Sequence, residues 1–203
     1  CYSFYFMMLQ IYNRIFLFMA FNIKKYLEIK DFIKNFAVNS GKLEARIIAV
    51  TKTRPTEDIY EAIKIGIRHF GEIRVHEAFE KFSPLKHNHN DIKLHMIGAL
   101  QTNKVKRALK IFDYFHSLDR DSLAVEFSKY NDFSSSKSFF VQVNTGLEKQ
   151  KSGIPPSQTS EFVSYCIDDL NLNVVGLMCL PTANNDPKKH FLMLVDLAQR
   201  NNL

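Results

Sequence analysis

The sequence predicts an α/β fold in which parallel strands alternate with helices. Short apolar runs rich in Val, Ile and Phe recur at intervals of about 20 to 35 residues, and a segment with helical periodicity follows each of them. Successive strands joined through a helix run parallel, because the right-handed crossover between them covers the sheet. The 203 residues, of which 46% are hydrophobic and 24% charged, suffice for one domain with its own core.

The N-terminal stretch is unlike the rest of the chain, because it is almost wholly apolar and Arg14 is its only charge. Its length approaches that of a membrane span, but polar residues interrupt it and no small-residue cleavage site is visible. The chain begins with Cys1, and Met19 opens an amphipathic segment. We therefore interpret residues 1–18 as a non-native upstream extension, or a disordered or helical apolar segment, and residues 19–203 as the domain. A membrane anchor is the alternative.

The first predicted elements of the domain are a helix, a strand and a second helix. Apolar residues recur at three- and four-residue intervals in 21–38, which predicts a helix with one buried stripe. The β-branched run 47–52 predicts a buried strand, and Pro55 stops it because proline cannot continue a ladder. Thr56 is predicted to cap the next helix, which Gly66 ends.

The alternation then continues along the rest of the chain. Strands are predicted at 67–70, 94–97, 113–116, 139–143 and 174–177. Helices are predicted at 75–82, 102–111, 122–130, 155–167 and 190–199, with loops at 86–91, 134–136 and 146–154. The pattern therefore amounts to about six strand–helix units.

Two architectures contain such units: a doubly wound open sheet and an eight-unit barrel. No Gly-x-Gly-x-x-Gly or Walker sequence follows any strand, so the nucleotide-binding versions lose support. A barrel normally takes about 250 residues. These units therefore form either an open sheet or a barrel cut short.

Lys52 is the most informative single residue. It ends the first apolar strand, and α/β folds place their ligand sites at the carboxyl ends of strands. Ile48, Val50 and Lys52 are predicted to share one face of that strand. Burial disfavours a charged amine, and a neutral lysine amine is the nucleophile that forms Schiff bases with carbonyls. The alternative is a lysine whose stem covers the core while its head reaches water.

The charge of the chain indicates which classes of partner it can bind, and its cysteine content indicates the redox state of its compartment. The net charge of +6 permits anionic partners such as phosphorylated small molecules, but the basic residues are spread along the chain, which argues against nucleic acid. Cys1, Cys166 and Cys179 show neither metal spacing nor an even disulfide framework, which indicates a reducing compartment. The sequence 87–91 is metal-capable but lacks a third anchored ligand, so no metal site is predicted.

Six motifs occur in order at the ends of the predicted strands. They are Ala49-Val50-Thr51-Lys52-Thr53-Arg54-Pro55, Phe70-Gly71-Glu72, His95-x-Ile97-Gly98-x-Leu100-Gln101-x-Asn103-Lys104, His116-Ser117-Leu118-Asp119-Arg120, Lys151-Ser152-Gly153 and Gly176-Leu177-Met178. Together they make the chain, from about Met19 to its end, resemble the YggS/PROSC family of pyridoxal phosphate homeostasis proteins.

The resemblance implies the fold, the cofactor and the site. It implies an incomplete TIM (β/α)8 barrel of about six βα units, preceded by an N-terminal helix and related to the N-terminal domain of alanine racemase. Lys52 would carry pyridoxal 5′-phosphate (PLP) as a Schiff base, with His95, Asn144 and Met178 near the ring. The family is thought to bind, store or pass on PLP without established turnover. We therefore expect a cytoplasmic monomer whose partners are PLP and PLP-dependent apoenzymes, with no nucleic acid and no membrane.

Two departures from the family pattern bear on cofactor binding. The family usually reads Gly-Glu-Asn-Tyr after the second strand, whereas Ile73 and Arg74 stand here, so an amide near the ring is lost. The family's C-terminal phosphate-binding segments, of the Ser-x-Gly-Met-Ser and Arg-Ile-Gly-x-x-Ile-Phe-Gly types, do not occur in these residues. The expectation is a fragment of a barrel with two open edges, which binds PLP weakly or not at all, whereas a full-length relative binds it.

Two enzymatic alternatives use the same lysine. A PLP-dependent racemase needs a second domain or a partner that supplies a base opposite the lysine, and racemases of this fold follow their lysine with a turn containing glycine and tyrosine instead of Thr53-Arg54-Pro55. A cofactor-free Schiff-base aldolase needs a nearby acid or base, which nothing singles out on the sixth strand. The non-catalytic carrier is therefore the preferred interpretation.

Overall fold

The sheet has the strand order of a barrel. The computed structural model describes residues 22–41, 44–182 and 186–203. Six parallel strands lie in the order β1-β2-β3-β4-β5-β6. They are β1 (Ala49–Val50), β2 (His69–Glu72), β3 (Lys93–Met96), β4 (Tyr114–Leu118), β5 (Ser138–Gln142) and β6 (Val174–Met178). A doubly wound sheet would reverse its strand order at a switch point, so this order confirms the incomplete barrel.

Helices connect and cover these strands, as the alternation predicts. They are α1 (Ile23–Ser40), α2 (Thr56–Lys64), α3 (Val75–Asn88), α4 (Val105–Ala108), α5 (Asp121–Ser128), α6 (Asn131–Ser134), α7 (Thr159–Ser164) and α8 (Pro187–Arg200). A 3₁₀ turn precedes α4 at Thr102–Lys104 and another precedes α7 at Pro156–Gln158, while a π-helical turn, Tyr165–Asp169, extends α7.

Some predicted boundaries of strands and helices are wrong. The first strand is two residues long instead of six, because β1 pairs only with β2 among the described residues. Pro55, not Thr56, occupies the N-cap of α2, and no side chain caps it. The helix α3 continues to Asn88, through half of the sequence that predicted a loop. The predicted helix 102–111 is a 3₁₀ turn followed by one helical turn.

The N-terminal helix α1 is confirmed, but its packing differs from the prediction. Asn22 caps it by accepting a hydrogen bond from Lys25 N at 2.9 Å, and Gly41 ends it with a φ of 64°. Ile33 is buried, whereas Phe32 and Phe36 are 65% and 57% exposed, so the predicted buried stripe is wrong in extent. The proposed extension 1–18 lies outside the described residues. Of the helices that the structure describes, none has the length and apolarity of a membrane span.

The core lies between the outer face of the sheet and the helices. Phe115 and Phe139, on β4 and β5, stack at 5.4 Å between ring centroids, and Phe127 of α5 packs edge-on against both at 4.8 Å. Phe70 of β2 contacts Phe82 of α3 at 5.5 Å between centroids, with the two rings tilted by 49°. Because side chains alternate along a strand, the intervening residues face the opposite side, which we call the lumen face.

Candidate functional site

Lys52 lies immediately after β1, in a turn of residues 51–54 that Arg54 N closes by donating to the Thr51 carbonyl at 3.0 Å. Thr51 points toward the helices, where its hydroxyl donates to Oε1 of buried Glu72 at 2.7 Å. Lys52 is half-buried, and continuing the alternation of β1 by one residue predicts that its side chain faces the lumen. Among the described residues its amine takes part in no hydrogen bond or ion pair.

The lumen face beneath Lys52 is built from three strands in register. Val50 pairs with Gly71, and Gly71 pairs with His95, so these residues form one layer across β1, β2 and β3. A Cβ added to Gly71 would lie 3.0 Å from Cδ1 of Ile97 and 3.2 Å from Cγ2 of Ile48. The space above Gly71 is therefore filled by the apolar side chains of Ile97 and Ile48, which make this part of the lumen face apolar.

A chain of three histidines crosses the lumen face. Nδ1 of His69 lies 2.9 Å from Nε2 of His95, and Nδ1 of His95 lies 2.9 Å from Nε2 of His116. Tyr114 stacks on His95 at 4.4 Å and Phe140 stacks on His116 at 4.5 Å, which fixes both imidazole rings. His95 is thus a rigid, fully buried wall of the lumen.

Burial keeps these histidines neutral. It lowers the pKa of His116 to about 3 and the pKa of His95 well below its ordinary value. It also lowers the pKa of His69 to about 4, with further lowering by Arg46 and Lys93. In neutral imidazoles each close N···N contact needs one donor and one acceptor, so the tautomers of the three rings are coupled. Both ring nitrogens of His95 are engaged by His69 and His116, so His95 presents an uncharged ring surface to the lumen.

Asn144 and Met178 end the neighbouring strands β5 and β6. Met178 is buried, and its carbonyl accepts a hydrogen bond from Val143 N at 2.8 Å. The Asn144 amide organises its own loop: Nδ2 donates to the carbonyls of Glu148 at 2.9 Å and Lys151 at 3.3 Å, and Oδ1 accepts from Glu148 N at 3.1 Å. A direct contact between either side chain and a cofactor stays a prediction.

Gly153 makes this loop possible, and we expect Gly153→Ala to disrupt it. Its φ is +125°, and an added Cβ would lie 2.7 Å from Asn144 N. The unfolding free energy should fall by about 2 kcal/mol or more in urea denaturation, from backbone strain and contact together. Gly66→Ala is the matched control, because Gly66 also has positive φ but nothing lies within 4 Å of its added Cβ. Equal losses in both variants would contradict the role of the contact.

The four site residues predicted from sequence all lie on strands or strand ends, but the sequence did not reveal the histidine chain. His69 and His116 were not singled out as partners of His95, because the pairing register of three strands decides their distance. The alternation of side chains along each strand was the one available signal. It places His69 on the same face of its strand as Gly71, but it does not give the distance to a histidine on another strand.

Comparison with known proteins identifies the family of the chain. A family model of the alanine racemase N-terminal domain matches residues 28–202. A pyridoxal phosphate homeostasis protein of Aquifex aeolicus is 36% identical over 150 residues, which cover 73% of this chain and 64% of that protein. The protein of the same name from Vibrio cholerae is 34% identical over 162 residues, which cover 78% of this chain and 69% of that protein. The chain therefore spans about two thirds of the length of these relatives.

The solved structures similar to this chain share its fold. PipY of Synechococcus elongatus PCC7942, solved without PLP, has a TM-score of 0.69 at 27% identity, over 84% of this chain and 83% of that chain. The same protein with PLP bound has a TM-score of 0.65 at 24% identity over the same shares. The incomplete barrel predicted from the sequence thus matches a known architecture.

Proposed function

The chain belongs to the alanine racemase N-terminal domain family and to its pyridoxal phosphate homeostasis proteins, the YggS/PROSC family, and we propose that it holds PLP as a Schiff base on Lys52. The observation that carries the proposal is that Lys52, half-buried at the carboxyl end of β1, has an amine without a partner among the described residues. When bound, PLP supplies an aldehyde that a lysine amine captures. Its ring would lie against the apolar lumen face to which Val50, Ile48 and Ile97 contribute.

We assign supporting roles to the other predicted site residues. His95 would contribute a neutral, rigid part of the lumen wall, fixed by its stack on Tyr114. Met178 would contribute an apolar wall at the end of β6. Asn144 would act mainly by shaping the loop 144–151, since its amide already makes three hydrogen bonds there.

The proposal is for a carrier of PLP and not for an enzyme. The names of the relatives support a role in homeostasis. Turnover of the racemase kind requires an acid–base group on each side of the reacting carbon, and the histidines on the lumen face are committed to one another. We propose that the carrier works as a cytoplasmic monomer and passes PLP to apoenzymes. Cys166 and Cys179, free and buried, fit a reducing compartment.

Reductive trapping tests the proposal even if affinity is low. The chain is incubated with PLP, reduced with borohydride and digested, and the modified lysines are identified by mass spectrometry. We expect saturable modification of Lys52 at low PLP concentration, whereas the exposed Lys149 is modified only at high concentration and without saturation. If all surface lysines were modified to the same extent and Lys52 reacted no faster than Lys149, the proposal would be contradicted.

A further inference from the structure

We propose that Glu77 and Lys81 are positioning residues, which hold the turn after β1 so that Lys52 presents its amine to the lumen. The inference rests on the proposed function of Lys52. Both residues lie on α3, one helical turn apart, and both reach the turn of residues 51–54 from its outer side. Sequence reasoning did not single out either residue, because their roles depend on how α3 packs against the end of β1.

The turn that carries Lys52 is strained. Arg54 N donates to the Thr51 carbonyl, and Thr53 has a φ of 60°. This is the pattern of a type II turn, in which the residue with positive φ is normally glycine or asparagine. Thr53 is β-branched, and left-handed backbone is a genuine outlier for such residues. A strained conformation of this kind persists only where surrounding groups impose it.

Glu77 and Lys81 hold this turn on both sides of Lys52. Oε1 of Glu77 accepts a hydrogen bond from Thr53 N at 2.6 Å. Nζ of Lys81 donates to the Thr51 carbonyl at 2.8 Å. The two peptide groups that flank Lys52 are therefore fixed by side chains from one helix. Because the Lys52 amine has no described partner of its own, the backbone orientation decides where the amine points.

The pair that holds the turn is itself fixed by charge. Nζ of Lys81 lies 2.6 Å from Oε1 of Glu77 and 3.2 Å from Oε1 of Glu72, and the Lys81 side chain is only 12% exposed. Burial alone would raise the pKa of Glu77, but hydrogen bonds from Lys81 and from the Thr53 amide outweigh it and hold that pKa below its usual value. Glu77 is thus anionic at neutral pH, and an anionic acceptor makes a strong hydrogen bond to a backbone amide.

The first test removes the acceptor and then removes the strain. In Glu77→Ala, we expect Schiff-base formation with PLP to slow about tenfold, since a non-glycine residue forfeits about that factor in the left-handed region. Exchange of the Thr53 amide hydrogen in the unliganded chain should accelerate to a similar extent. The double variant Thr53→Gly/Glu77→Ala should recover most of the rate, because glycine adopts positive φ without steric cost. A merely structural role of Glu77 in α3 would not be rescued by glycine at position 53.

Matched variants separate positioning from general destabilisation. Glu80→Ala is the control, because Glu80 lies on the same helix, is 66% exposed and contacts only His76 among the ion pairs described. It should change neither rate. Glu77→Gln keeps an acceptor for the Thr53 amide and should lose less than Glu77→Ala. Should Glu77→Ala fail to fold, Glu77→Gln and Lys81→Met are measured in the same two assays, and a slower reaction with faster exchange in either supports the inference.

The two readouts distinguish failure of the inference from failure of the proposed function. Amide exchange at Thr53 needs no cofactor. If the unaltered chain forms no Schiff base while Glu77→Ala accelerates that exchange, the proposed function fails and the turn-holding role stands. If the unaltered chain forms the Schiff base while the variants at Glu77 and Lys81 change neither rate, the inference is overturned. Absence of recovery with glycine at position 53 would overturn it as well.

Discussion

Replacing Lys52 with alanine should abolish the specific capture of PLP, which is the largest functional effect expected for any single substitution in the chain. A Schiff base requires a primary amine within reach of the aldehyde. The lumen side of the β1 end offers Lys52, whereas Lys81 on the outer side is engaged by two carboxylates and the Thr51 carbonyl. The saturable absorbance band of the PLP adduct should therefore disappear in Lys52→Ala.

Two further variants make this result specific. Lys52→Arg keeps the positive charge, but a guanidinium does not form the imine, so it should lose the band as completely as alanine does. Lys149→Ala removes an exposed lysine and should leave the band unchanged. The free energy of unfolding should change by less than about 1 kcal/mol in Lys52→Ala, because the amine has no described partner to lose. A persistent band in Lys52→Ala would disprove the assignment of the lysine.

Local patterns in the sequence were enough to predict the layers of the fold and their order. Apolar runs and helical periodicity are properties of short segments, and parallel crossovers follow from them, so six strands and their covering helices could be expected. The length of β1 could not be predicted from the sequence, because it depends on which of its backbone groups have a neighbouring strand. The exposure of Phe32 and Phe36 on α1 could not either, since it depends on what packs against that helix.

In the candidate site too, some features could be predicted from the sequence and others could not. The position of Lys52 at a strand end is local information, and Pro55 marked that end in the sequence. Other contacts join residues more than 20 positions apart. Examples are the hydrogen bond from the Thr53 amide to Glu77 and the contact between His69 and His95. Distances of that kind depend on strand register and helix packing, which a single sequence does not specify. Sequence reasoning therefore proposed a reactive group and did not predict the residues that contact its turn.

The histidine chain should make the fold sensitive to mild acid. An unfolded histidine takes up a proton as the pH falls through its ordinary pKa of 6.5, whereas folded His69 and His116 do so only at about 4 and about 3. Between these values the unfolded state binds more protons, so the free energy of unfolding decreases as the pH falls. For His116 alone the loss is about 2 kcal/mol over the two pH units below 6.5, because the slope approaches about 1.4 kcal/mol per unit only once the unfolded imidazole is protonated. Partly exposed His69 contributes less, because solvent screens it.

Substitutions isolate this contribution from that of the carboxylates, which also titrate in acid. His116→Gln replaces a titrating ring with an amide that can still hydrogen-bond to His95, so the slope of unfolding free energy against pH between 6 and 4.5 should fall by about one proton. His76→Gln is the matched control, because His76 is 71% exposed and lies outside the histidine chain, so a loss of slope specific to the buried ring must exceed any loss in this variant. Urea denaturation at a series of pH values measures all three slopes. If His116→Gln retains the full slope, the buried imidazoles are not what makes folding pH-dependent, and the neutral lumen wall assigned to His95 loses its support.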